Sequence, residues 1–133
     1  MKTLLLSLAL FAVSFPAEAV ELDEEVDITS GSVTGLSCAL KAKKTGNLSI
    51  LSACPLQEAL KEIVVYDVTE ELIFRFTKGP VPRYKLEMAY GGGSIDATGE
   101  VKKIDKKTGI VTLAVEDYSI TEKPKAGGFK GCL

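Results

Sequence analysis

The chain has 133 residues, 46% hydrophobic and 26% charged, with 16 basic and 18 acidic side chains for a formal charge of −2; that balance gives no general attraction to nucleic acid or an anionic membrane. It holds no histidine and no tryptophan. Without histidine, Ser-His-Asp and Cys-His catalysis, c-type haem attachment and most zinc sites are excluded.

Lys2, the apolar run from Leu4 to Phe15 and the closing Ala17-Glu18-Ala19 have the order of a secretory signal peptide, so residues 1–19 are expected to be removed after Ala19. No later run approaches the roughly 20 apolar residues of a membrane-spanning helix, and no cysteine stands at the cleavage point to carry a lipid. The expected product is periplasmic or secreted: one β-rich domain over 20–133, with a loosely held tail from about 122. Glu21, Asp23, Glu24, Glu25 and Asp27 crowd its start, where a solvated terminus explains them better than a cation site.

From Val26 to Thr29 apolar and polar residues alternate as in a strand, with Ser30-Gly31-Ser32 and Thr34-Gly35 as points of bend or bulge. Leu36–Ala42 and Leu48–Ala53 are then predicted to form a hairpin around Thr45-Gly46-Asn47. In that register Cys38 faces Cys54, close enough for a disulfide, while Leu51 points the wrong way. The tetrapeptide Lys43-Lys44-Thr45-Gly46 recurs as Lys106-Lys107-Thr108-Gly109, one turn chemistry used twice.

Pro55 opens a predicted short helix with Leu56, Ala59, Leu60 and Ile63 at helical spacing. Ile63–Val68 reads as a buried strand, Thr69-Glu70-Glu71 as a turn, and Leu72–Thr77 as a strand with Leu72, Phe74 and Phe76 on one face. A proline-containing loop leads to Tyr84–Tyr90. There Leu86, Met88 and Tyr90 alternate, which predicts a strand although Leu, Glu, Met and Ala are good helix formers. Gly91-Gly92-Gly93 is a connection rather than a phosphate loop, because a strand follows it.

Ser94–Ile120 carries the clearest pattern of the chain. Ile95, Ala97, Gly99 and Val101 share one face going out, Val111, Leu113 and Val115 one face coming back, and Gly109 takes the positive φ of the turn between them.

Three cysteines in an oxidising compartment allow one bridge and one leftover thiol. Cys38–Cys54 is the preferred pairing. Cys132 is then free or joins two chains as a disulfide-linked dimer; the alternative staples the tail to Cys38 or Cys54. Tyr66, Arg75, Tyr84 and Tyr90 are the candidate ligand face, set against the plainer reading in which phenylalanines fill the core and tyrosines stand at its margin. The lysines at Lys41, Lys43, Lys44, Lys102, Lys103, Lys106 and Lys107 cluster at two turns, as a weak anion-binding rim or as solubilising charges. Asp96, Glu100, Asp105, Glu116 and Asp117 offer carboxylates, but no spacing singles out an acid and base pair, and cross-strand pairing with Lys102 and Lys103 is the expected use.

The segments Gly31-Ser32-Val33-Thr34-Gly35-Leu36-Ser37-Cys38, Cys54-Pro55, Ile63–Val68, Leu72–Phe76, Ala97–Val101 and Val111–Val115, in that order, resemble small secreted bacterial proteins with an OB-like fold. The resemblance spans most of the chain after residue 19. It implies a mainly β, five- to seven-stranded antiparallel barrel with one short helix. Members carry further Cys and His residues near the stretch matching Leu40–Cys54; this chain has no such histidines, which removes metal or thiol chemistry from the expectation. The expected function is therefore non-catalytic binding, without cofactor or metal, of a small ligand or an envelope protein through a sheet face and loops. The alternative is a structural or assembly component of the cell envelope joined through Cys132 or strand edges.

Overall fold

The computed structural model describes residues 20–77 and 80–122; the expected signal peptide, the tail beyond 122 and Cys132 lie outside them. Nine elements follow one another: β1 (Glu25–Gly35), α1 (Leu36–Thr45), α2 (Ser49–Ser52), α3 (Leu56–Lys61), β2 (Ile63–Asp67), β3 (Leu72–Phe76), α4 (Arg83–Ala89), β4 (Ser94–Ile104) and β5 (Val111–Thr121). Among the described residues no helix is long and apolar enough to cross a membrane.

The strands close a barrel in the order β1-β2-β3-β5-β4. The late half of β1 pairs with β2 and its early half with β4, and the pairing with β4 slips between Ile28 and Gly31. Ser30 sits at that slip with φ 54°, and its N–H donates to the Asp96 carboxylate at 2.7 Å, so the bend expected from Ser30-Gly31-Ser32 is present. Four seams are antiparallel. The fifth, between β3 and β5, is parallel, contrary to the all-antiparallel expectation, because the chain crosses through α4 and β4 before returning beside β3.

Period-two alternation sends one row of each strand into the barrel: Ile28, Val33, Val65, Phe74, Ile95, Ala97, Val101, Val111, Leu113 and Val115 fill it. The outward row of β2 and β3 is buried as well. Val64, Tyr66 and Ile73 lie under Ala39, Ala42 and Leu51, with Ile110 alongside, as a second, smaller core between sheet and helices. That double burial is why Ile63–Val68 reads as an unbroken apolar run.

Three segments expected as strands are helices, so four helices replace the single one expected among the described residues. Leu36–Ala42 and Leu48–Ala53 form α1 and α2, not a hairpin. Ala39, Leu40, Lys41, Ala42 and Lys43 are strong helix formers, and Cys38, Ala39 and Ala42 make a buried helical stripe that also fits alternation at Cys38 and Ala42. Tyr84–Tyr90 falls in α4: Pro82 precedes it, Arg83 pairs with Glu87 four residues on, and the Gly93 N–H closes its end on the Ala89 carbonyl. There Leu86 and Ala89 turn inward.

Both Lys-Lys-Thr-Gly turns end on a glycine with positive φ, 79° at Gly46 and 78° at Gly109. Each glycine N–H donates to the carbonyl four residues back, Gly46 to Ala42 and Gly109 to Asp105. The same local closure terminates a helix in one place and reverses a hairpin in the other, since what precedes it differs.

Candidate functional site

Between β1 and β2 the chain makes a helical excursion, α1–α2–α3, and its outer surface carries a cleft of about 600 Å³. Gly35 begins it. A β-carbon there would lie 2.7 Å from Glu58 Cβ and 3.1 Å from Cys54 Sγ, so the glycine lets α3 and the cysteine close on the start of α1. Cys38, in the first turn of α1, and Cys54, just before α3, form the expected disulfide with 5.9 Å between α-carbons. The bridge joins two helical segments rather than opposed strands, so the pairing holds although the hairpin that suggested it does not.

The buried bridge and half-buried Leu40 and Ile50 give the cleft apolar wall, with exposed Ala53 and Pro55 at its margin. Its polar rim is Ser37, Lys41, Lys44 and Glu58. Ser37 Oγ donates to Glu58 at 2.6 Å, and Lys61 Nζ stands 3.7 Å from the same carboxylate. The serine hydrogen bond first, and the lysine charge after it, hold the Glu58 carboxyl below the usual range, so it is ionised and already engaged at neutral pH. A smaller hollow of about 260 Å³ shares Ser37, Leu40 and Glu58 with the cleft.

Tyr66, Arg75, Tyr84 and Tyr90 are not assembled into one surface. Tyr66 is buried in the small core under α1, and burial, with Glu71 second, pushes its phenol up. Arg75 is held by Glu62, through Nε and through Nη2 at 3.3 Å. Tyr84 is exposed on α4. Tyr90 is buried, and its hydroxyl reaches the carbonyls of Pro55 at 2.7 Å and Cys54 at 3.3 Å, tying the end of α4 to the cleft margin. Tyr90→Phe leaves those acceptors short of a donor; an expected loss of about 1–2 kcal/mol is checked by urea unfolding.

Of the carboxylates, Asp96 and Asp117 share with Asp27 the lining of an open hollow of about 350 Å³. Asp96 accepts from Ser30, Glu100 pairs with Lys102 two residues along its own strand rather than across strands, and Asp105 accepts from the N–H groups of Lys107 and Thr108 within its turn. Glu25 differs. A hydrogen bond with Glu116, then that residue's charge, raises its carboxyl above the ordinary 4.5. A raised carboxyl favours the fold at pH below its unfolded value, and the contribution is lost as pH rises through the folded value. Glu116→Gln removes the neighbouring charge, so the Glu25 titration, followed by carboxyl NMR, is expected to move toward lower pH.

Leu40 and Ile50 escape a strand-based reading as site residues, and Lys41 and Lys44 enter it only as part of an anion-binding rim at a turn, because a hairpin sends Lys41 to the opposite face. One signal pointed to them: Leu51, misplaced in the hairpin, is buried in the helical arrangement and holds α2 down, its carbonyl accepting from Thr34 Oγ1 at 2.9 Å. A scan of family models and comparisons with curated proteins and solved structures find no match for this chain.

Proposed function

We propose that this chain is a secreted or periplasmic, non-catalytic binding module on an OB-like barrel, with its ligand site on the helical excursion rather than on the sheet. The strand order, with β1 shared between β2 and β4, supports the OB-like reading, and such barrels take ligands on the face of strands 2 and 3 and the adjoining loops. Here α1 and α2 fill that face with the chain's own side chains. Secretion is supported by the N-terminal pattern and by the disulfide, which persists in oxidising compartments. A non-catalytic role is supported by the commitment of Asp96, Glu100 and Asp105 to structural partners.

The cleft carries the reading: an apolar hollow with a few polar groups converging on it, in the size range of small-molecule sites. The test is a thermal-unfolding screen against oligosaccharides, nucleotides, amphiphiles and envelope proteins. One class is expected to raise the midpoint, and Ala53→Trp, which fills the margin, to abolish that rise without changing the unliganded midpoint. No stabilising class, or a rise that survives the tryptophan, refutes the site.

The assembly reading draws on two other observations. From Ala114 to Thr121, β5 pairs with β4 alone among the described residues, and Leu56 and Leu60 of α3 are 69% and 72% exposed although helical spacing assigned them to the core. A monomer by native size, with Cys132 alkylated in the non-reduced protein, removes it.

A further inference from the structure

We infer that the cleft takes a single-chain amphiphile with an anionic head, a carboxylate or a phosphate; this rests on the binding reading above and names its ligand class. The apolar part of the argument is the accessible wall of Leu40, Ile50 and the disulfide. Leu40 also lines the 260 Å³ hollow, where Leu36 joins it, so apolar wall extends past the main cleft, which suits a chain better than a compact ring. Burying such surface is favourable at roughly 25 cal/mol per Å² of apolar area.

Charge supplies the head. Lys41 and Lys44, three residues apart on α1, are exposed at the rim and have no ion-pair partner among the described residues. Glu58, the acid that lines the cleft, is bound to Ser37 and faces Lys61. Beyond the rim, Lys43 Nζ lies 3.6 Å from where a β-carbon on Gly109 would stand, which brings the end of α1 to the turn holding Lys106 and Lys107. Asp105 in that turn is occupied by its own backbone donors. At this end of the molecule Lys41, Lys43, Lys44, Lys106 and Lys107 therefore outnumber the acids, and their field acts over a Debye length, about 8–10 Å in physiological salt. A negative head gains from that field and a positive one is repelled.

The experiment follows amide NMR shifts of the oxidised protein with dodecanoate, dodecyl phosphate, dodecyl maltoside and dodecyltrimethylammonium, each below its micelle concentration, and with acetate and inorganic phosphate. Saturable shifts at Leu40, Ile50 and Ala53 are expected with both anionic amphiphiles and not with acetate or phosphate alone. Lys41→Ala with Lys44→Ala, both exposed changes, should weaken the anionic amphiphiles roughly tenfold and leave the maltoside unaffected. A stronger response to one anion identifies the head. Equal affinity for neutral, cationic and anionic chains overturns the head assignment while leaving the cleft as a site. Saturable shifts with acetate or phosphate alone overturn the need for a chain. No response at the cleft from any amphiphile overturns the ligand class, and the wider screen then decides the binding reading separately.

Discussion

Replacing Cys38 and Cys54 together with alanine is expected to lower the unfolding free energy by about 3 kcal/mol, the chain-entropy value for a loop of this size. The bridge spans 16 positions and encloses most of α1, all of α2 and the loop between them. Helices of ten, four and six residues are far below the length at which isolated helices hold in water. They depend on their packing against β2 and β3, on the Thr34–Leu51 and Ser37–Glu58 hydrogen bonds, and on the cross-link. Both cysteines are buried, so alanine also leaves a void, which adds to the loss. The signature has two parts. Urea unfolding should show a lower midpoint with a steeper dependence on urea, because the uncrosslinked chain exposes more surface when unfolded. Amide exchange should accelerate within 36–62 by more than the global loss requires, since this excursion opens first. An unchanged midpoint would show that packing alone holds the excursion.

The contrast between this excursion and the hairpin β4–β5 explains what the sequence reveals. In β4 and β5 one face is wet, so polar residues mark the period, and the inward rows Ile95, Ala97, Val101 and Val111, Leu113, Val115 are legible. In β2 both faces are covered, and only an apolar run remains, enough to place the strand but not to say what covers it. In α1 the buried pair Cys38 and Ala42 lies four apart, a spacing common to a helix face and to alternation, and Leu40 is half-buried. Tertiary packing of the helix over Val64, Tyr66 and Ile73 breaks the tie. The same degeneracy at Leu86, Met88 and Tyr90 hid α4. The cleft follows from that first ambiguity: Leu40, Lys41, Lys44 and Ile50 meet only when the segment is helical. The disulfide was found because two cysteines 16 apart across a turn approach each other whether the intervening chain pairs as strands or folds back as helices.

Gly99→Ala is expected to cost about 3 kcal/mol or more, at or above the upper end of overpacking changes, although the substitution adds one methyl group. Alternation puts Gly99 in the inward row between Ala97 and Val101, where alanine looks harmless. The pairing says otherwise. Thr98 faces Asp117 and Gly99 faces Val115, so β5 carries an extra residue, Glu116, at a bulge opposite Gly99. A β-carbon at Gly99 would lie 2.3 Å from the Ala114 carbonyl oxygen and 2.9 Å from Val115 Cα. These are backbone atoms, which cannot swing aside by a rotamer change, so relief requires β5 to move and its hydrogen bonds with β4 to be broken. Gly31→Ala is the control. Its β-carbon would meet Val65 Cγ1 at 2.5 Å and Ile28 Cγ2 at 2.7 Å, side-chain methyls that can shift, and a smaller loss is expected. Thermal and urea unfolding of the two variants rank them. If Gly99→Ala is the milder change, the bulge yields more readily than the barrel interior, and the tight seam between β4 and β5 is not what fixes the register of the hairpin. If it is the more severe, the bulge at Glu116 is held by backbone contact. The nearness of Glu116 to Glu25 is then a consequence of that register, and the Glu25 titration should lose its displacement in any variant that lets β5 slip.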